Sequence, residues 1–223
     1  MNTIAVAIMA KAPRPGAVKT RLCPPLLAAE AAALYRCFLL DKIAAVQALS
    51  GVRPMMAYTP DEAQAEFAVL APDFALVPQR GPDLGARLHT TLASLLAAGH
   101  PGAIAVDSDT PTLPREFLQQ AVDCLTGPGP DVVLGPTEDG GYYLIGVRAA
   151  NRALFDDMPW STAAVLEITL RRAAAAGLQT VCTPAWFDVD TPDDLRRLRT
   201  VLDGGRSAAE AGETARFLAS LRR

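Results

Sequence analysis

Five clusters of polar and charged residues stand at the ends of apolar runs, where strands would deliver them to a common edge. The first, Lys11-Ala12-Pro13-Arg14-Pro15-Gly16-Ala17-Val18-Lys19-Thr20-Arg21-Leu22, carries four cations within eleven residues. Its prolines stiffen the backbone, and Gly16 lets it approach a ligand closely. Lysine offers a compact charge, and arginine can grip two phosphate oxygens at once. Lys11, Pro15, Gly16, Lys19, Thr20 and Arg21 therefore form a candidate phosphate cradle, whose plain alternative is a solvated basic turn. Asp107-Ser108-Asp109 ends a second apolar run, and Asp188-Val189-Asp190 leads into Thr191-Pro192-Asp193, a helix start. Carboxylates from two such places can share a hard cation, magnesium or manganese, which would also take phosphate oxygens. A turn in which aspartate bonds its own backbone explains the first pair too. Helix capping accounts for Thr191 to Asp193 but not for Asp188 or Asp190.

The remaining two clusters suit binding rather than metal chemistry. In Gly135-Pro136-Thr137-Glu138-Asp139-Gly140-Gly141-Tyr142-Tyr143, the paired glycines permit positive φ and close ligand approach. Glu138 and Asp139 are candidates for an acceptor-binding or general-base carboxylate. Trp160 can line the same cleft as Tyr142. In Gln79-Arg80-Gly81-Pro82-Asp83-Leu84-Gly85-Ala86-Arg87, polar side chains and glycines can read a nucleobase, although a helix cap is an equal rival. Neither a Walker A loop nor a G-x-G-x-x-G fingerprint occurs, and no G-x-S-x-G elbow is present. Nucleotide triphosphatase, dinucleotide dehydrogenase and serine hydrolase readings fall accordingly. His89 lies in a helical pattern and His100 in a turn, so neither marks a catalytic base.

The elements that must position these clusters alternate. Thr3–Ala10, Pro54–Thr59, Ala75–Pro78, Ala103–Val106, Val132–Leu134, Tyr142–Val147, Val181–Thr183 and Phe187–Val189 read as strands. Between them, Pro25 to Leu49, Pro60–Val69, Asp83–Ala98, Pro114–Leu125 and Thr162–Ala176 carry helical spacing, with Gly51, Gly99 and Gly177 as stops. Thr191 caps a further helix with Pro192 at its first position. Such alternation predicts a mostly parallel sheet with helices on both faces, whose ligands sit beyond the carboxyl ends of the strands. Past Gly204-Gly205, Ser207-Ala208-Ala209-Glu210 is a capping-box pattern opening a last helix to about Leu221. That helix reads as an outer packing or dimerising element, or as a solvated one.

The 223 residues are 50% hydrophobic and 20% charged, enough aliphatic surface to exclude wholesale disorder. A net charge of −3 argues against nucleic-acid or anionic-membrane partners. Gly99-His100-Pro101-Gly102 interrupts the longest uncharged stretch, so no transmembrane helix is expected. The four cysteines are scattered without a C-x-x-C pair, which suits reduced thiols in a cytoplasm.

The ordered set Lys11-x-Pro13-x-Pro15-Gly16-x-Val18-Lys19-Thr20-Arg21-Leu22, Gln79-x-Gly81-x-Asp83-Leu84-Gly85-x-Arg87, Ser108-Asp109-x-Pro111, Asp139-Gly140-Gly141-Tyr142, Trp160-Ser161-Thr162 and Asp188-Val189-Asp190-Thr191-Pro192 resembles the bacterial DUF2064 family. The resemblance spans roughly residues 3 to 203. Members are described as glycosyltransferases of the GT-A type, some associated with arsenosugar biosynthesis. The family is similar to molybdenum-cofactor and phospholactate guanylyltransferases. The resemblance implies a nucleotide-diphospho-sugar transferase fold. It also implies that Lys11, Lys19 and Arg21 hold phosphates, that Asp109 and Asp190 hold a metal, and that Gln79 to Gly85 face the base. One departure stands out: Asp107 occupies a position where the family is expected to carry glycine.

Taken together, the sequence predicts an α/β, Rossmann-like GT-A domain over 1–203 and a helical extension over 204–223. The expected activity is metal-dependent transfer from an activated nucleotide, glycosyl transfer first, with nucleotidyl transfer and a non-catalytic nucleotide-binding regulator as alternatives. Lys19, Arg21 and Asp139 are the candidate catalytic residues. Gln79, Gly81, Asp83, Leu84 and Gly85 join the basic loop around the nucleotide. Glu138, Asp139, Gly140, Gly141, Tyr142 and Trp160 face a small-molecule acceptor. Asp107, Asp109, Asp188 and Asp190 are the candidate ligands for Mg2+ or Mn2+.

Overall fold

A computed structural model describes residues 3–205 and 210–221. Seven strands form one sheet: β1 (Ile4–Lys11), β2 (Val52–Thr59), β3 (Ala75–Pro78), β4 (Ala103–Val106), β5 (Val132–Pro136), β6 (Tyr142–Val147) and β7 (Thr180–Cys182). Their spatial order is β3-β2-β1-β4-β6-β5-β7. β1 pairs in parallel with β2 and β4, and β2 with β3, while β6 runs antiparallel to both β4 and β5. β7 is parallel to β5. Because β6 is reversed, it begins at the edge where β1, β4 and β5 end. Val106 lies opposite Leu144, which brings Tyr142 and the turn before it to the same rim as Lys11 and Asp107.

Helices α1 (Ala28–Gln47), α2 (Gln64–Leu70), α4 (Arg115–Thr126), α6 (Pro192–Asp203) and α7 (Gly212–Ser220) contribute to one core layer; α3 (Leu84–Ala97) and α5 (Val165–Ala175) contribute to the other. The alternation in β1 sets this up. Ile4, Val6 and Ile8 meet α1 and α4 side chains such as Phe38 and Leu118. Ala5 and Ala7, with Ala57 and Ala105, share the opposite layer with Leu88 and Leu92. Small residues on that face let α3 lie close to the sheet.

Two expectations need correction. Phe187–Val189 is not a strand; the chain there makes a single bridge between Thr137 and Trp186 and then one hydrogen bond from Val189 N to Asp109 O, 3.0 Å. Buried Phe187 and Val189 fill the core beside loops, which gives an apolar run without a ladder. The last helix starts at Gly212, not at the expected capping box; Ser207 lies outside the described residues. α7 is anchored instead by Asp41 of α1, whose carboxylate accepts from Glu213 N and Thr214 N, both at 2.9 Å, and from the Thr214 hydroxyl at 2.6 Å.

Candidate active site

Residues 12–22 leave β1 and return to the rim. Val18 and Leu22 are buried and pin the loop, Gly16 adopts φ +74°, and Lys19 itself is left-handed at φ +48°. That backbone turns the Lys19 side chain inward, where it is only 4% exposed. Its Nζ lies 2.5 Å from Asp109 Oδ1 and 2.7 Å from Asp190 Oδ1. It also sits over the Phe38 ring at 5.7 Å. Burial by itself would lower the lysine's proton affinity, but the two carboxylates overcome it and raise the pKa above the ordinary lysine value. Arg21 stays exposed, 3.8 Å from Asp190 Oδ2. Three segments far apart in sequence, the basic loop, the end of β4 and the stretch before α6, thus converge on one ammonium group.

The base of this arrangement is a buried polar network. Tyr35 of α1 accepts from Lys11 N (3.1 Å) and shares a 2.8 Å bond with Ser108 Oγ, which donates to Met9 O at 3.1 Å. Burial, with help from the nearby Asp109 charge, pushes the Tyr35 phenol up to about 12, so it stays neutral at pH 7. Lys42, 2% exposed on its side chain, donates to Thr110 Oγ1 (2.6 Å) and Thr110 O (3.2 Å) and lies 3.3 Å from Asp107 Oδ1. Thr110 in turn donates to Asp107 at 2.7 Å. Burial raises the Asp107 pKa, and Lys42 and Thr110 pull it back. Lys42 was not singled out from sequence. The visible signal was an Asp41-Lys42 pair inside an Ala/Leu-rich helix, and each of the two charges serves a different buried partner.

Asp109 separates two cavities. One, of about 250 Å3, is lined by Lys11, Lys19, Thr20, Arg21, Tyr35 and Asp190. The other, of about 270 Å3, lies between α3, β6 and the start of α5, with Leu84, Leu88, Tyr142, Trp160, Asp139 and Asp188 in its wall. Asp139 Oδ1 accepts from Thr137 Oγ1 (2.5 Å) and Gly141 N (3.1 Å). Gly140, at φ +91°, is packed so closely on Ala163 that a Cβ would stand 2.2 Å from the Ala163 carbonyl oxygen. Trp160 meets Tyr142 edge-on at 6.3 Å. Asp188 is pushed up to about 7, chiefly by burial and then by Asp139 and Asp190.

Other candidates stand elsewhere or are already engaged. Glu138 is exposed and held in a double contact by Arg197 at 2.5 and 2.8 Å, which lowers its pKa. The Gln79 amide donates to Ala10 O (3.1 Å) and Ala57 O (2.8 Å), tying β1 to β2. Asp83 caps α3 by accepting from Ala86 N at 2.8 Å. At Gly81 (φ +135°) a Cβ would lie 2.6 Å from Ala86 Cβ, and at Gly85 2.7 Å from Phe155 O. Leu84 alone of this segment lines the larger cavity.

A seven-stranded sheet with these rim loops belongs to the nucleotide-diphospho-sugar transferase class of folds. The chain is a member of the DUF2064 family, described as uncharacterized proteins conserved in bacteria, which it matches over residues 42–162. It is 32% identical to a candidate nucleotide-diphospho-sugar transferase from Desulfovibrio desulfuricans G20, with a TM-score of 0.90, covering 99% of this chain and 95% of that one. The fold also resembles CMP:2-keto-3-deoxy-manno-octonic acid synthetase complexed with CTP (14% identity, TM-score 0.59, 92% and 100% of the two chains). Glucosyl-3-phosphoglycerate synthase from Mycobacterium tuberculosis, in complex with Mn2+, UDP and glucosyl-3-phosphoglycerate, is similar at 14% identity and a TM-score of 0.51, over 95% and 80% of the chains. No curated protein matches the chain. Among the described residues, no helix is long and apolar enough to cross a membrane.

Proposed function

We propose that the chain is a metal-dependent glycosyltransferase using a nucleotide sugar. The observation that carries this reading is the clasp of Lys19 between Asp109 and Asp190 at the boundary of a cationic and an acidic cavity. Among the described residues, no three His, Cys, Asp or Glu side chains group closely enough to hold a metal by themselves. Two carboxylates meeting at one point nevertheless fit magnesium, which keeps water and phosphate oxygens among its ligands. Asp109 and Asp190 are the residues that would hold it. When bound, such an ion neutralises charge on a diphosphate leaving group.

The chain's own residues supply the rest. Arg21 and Lys11 bind phosphate oxygens at the cavity mouth, and Lys19 stabilises charge there once its carboxylates turn to other ligands. Asp139 is oriented by Thr137 and Gly141 and is placed to accept a proton from the acceptor. Tyr142 and Trp160 exclude water from the reacting side. A thermal-shift screen of nucleotide sugars and nucleoside triphosphates, with magnesium, manganese or chelator, tests this, because ligands of the native state raise its apparent stability. Products are then identified for each hit. The reading predicts metal-dependent stabilisation by a nucleotide sugar and release of nucleoside diphosphate. Release of pyrophosphate from a triphosphate would assign nucleotidyl transfer instead, and binding without any product would make the chain a nucleotide-binding regulator.

A further inference from the structure

The two cavities differ in charge as well as in shape. Among the described residues, the acidic groups lining the larger one are Asp107, Asp109, Asp139 and Asp188, and no lysine, arginine or histidine stands in its wall. Two of these carboxylates are compensated from outside it, Asp107 by Lys42 and Asp109 by Lys19. Asp139 is held by a hydroxyl and a backbone amide, neither of which cancels its charge. Asp188 makes no ion pair among the described residues. The rest of the wall combines apolar and aromatic side chains, Leu84, Leu88, Ile145, Trp160 and Val165 among them, with the hydroxyls of residues such as Ser161 and Thr162. A volume of about 270 Å3 sits at the small end of ligand cavities.

We infer that this cavity selects its acceptor by charge: it takes a small neutral or cationic molecule that presents a hydroxyl beside an apolar portion, and it rejects phosphorylated and carboxylated acceptors. An anion entering there meets the Asp139 carboxylate in a partly desolvated wall without a lysine, arginine or histidine among the described residues, whereas an alcohol donates its hydroxyl hydrogen to Asp139. The inference rests on the glycosyl-transfer reading and deepens it. The acceptor oxygen forms a bond to the anomeric carbon of the donor sugar. The bond from that carbon to the diphosphate oxygen breaks, its electron pair leaving on the nucleoside diphosphate. The hydroxyl proton passes to Asp139 and on to solvent. Charge is segregated by this layout: phosphates stay on the Lys11, Lys19 and Arg21 side, and the uncharged partner approaches from the other.

Calorimetric titration of the full chain in magnesium with four aromatic probes of similar size tests the inference: 2-phenylethanol, 2-phenylethylamine, phenylacetate and phenyl phosphate. The alcohol and the amine should bind. The two anions should bind about tenfold or more weakly at low ionic strength, with the gap narrowing in high salt. Asp139→Asn should reduce the discrimination. Phenyl phosphate or phenylacetate binding as tightly as the alcohol would overturn the inference, as would failure of all four to bind. Separate titrations with ADP, CDP, GDP and UDP report on the nucleotide side. Loss of those with the acceptor preference intact strikes only the transferase reading, and the converse strikes only this one.

Discussion

The two cavities that share Asp109 meet opposite electrostatic demands. On the Lys19 side, the buried charge is matched across long sequence distances: loop lysine to β4 aspartate, the same lysine to the aspartate before α6. On the Asp139 side, Asp139 and Asp188 stand among aromatic and aliphatic side chains with no ion pair among the described residues. Matched charges make a place that holds together without ligand and can exchange partners when one arrives. Unmatched charges make a place that costs stability and selects what enters. The same strand ends serve both, because β6 runs backward and brings its first residues to the rim that β1 and β4 reach with their last.

The comparison breaks most visibly at Lys19. Lys19→Met should leave two carboxylates facing each other and lower turnover by about 10²–10³-fold, the loss typical of one well-placed charge-stabilising group. Steady-state kinetics on the identified donor checks this, and turnover within a few-fold of wild type would remove Lys19 from the chemistry. Arg21→Ala, at the exposed mouth, should weaken nucleotide binding more at low salt than at high salt.

Lys42 offers the structural counterpart. Lys42→Met leaves Asp107 buried without its cation and should destabilise the fold by about 3 kcal/mol in urea unfolding. Adding Asp107→Asn should recover part of that loss, since the two side chains contact each other. If the double variant is no more stable than Lys42→Met, the pair is not coupled.

Asp188 sharpens the other side. Its folded pKa of about 7 lies above the ordinary 3.8, so between those values the folded chain binds more protons than the unfolded one. Stability from this group therefore falls as pH rises from 4 to 7. In chelator, Asp188→Asn should gain about 1–2 kcal/mol at pH 8, less than the full shift implies, and nothing at pH 4. An equal gain at both would show that the carboxylate is not penalised by its surroundings. The smallest effect belongs to the far side of α1. Thr214→Ala removes one of three hydrogen bonds to Asp41 and should cost about 1 kcal/mol without altering ligand binding.

Much of this was legible in the sequence. Ala75–Pro78, Ala103–Val106 and Tyr142–Val147 were bounded to the residue, because apolar runs stop at prolines, glycines and charges. Thr191-Pro192 caps α6 as its composition requires, with Asp194 completing the cap. What escaped was the direction of side chains. Nothing local says that Lys19 turns inward while Arg21 turns out; that follows from a left-handed backbone and from carboxylates more than eighty residues away. Gln79 looked like a base reader, yet its amide ties two strands together, a choice set by carbonyls on β1 and β2. Glu138 reads from sequence as an acceptor-binding or general-base candidate beside Asp139, while in the fold its carboxylate is paired with Arg197 of α6.

The central claim is that the Lys19 side receives a nucleotide diphosphate together with a divalent ion held by Asp109 and Asp190. Equilibrium titration of the identified nucleotide into wild type and Asp109→Ala, each with magnesium and with chelator, tests it most directly. The account predicts tight binding to wild type only with magnesium and no magnesium effect in Asp109→Ala, with both proteins melting at similar temperatures. Undiminished magnesium-dependent affinity in Asp109→Ala would contradict it.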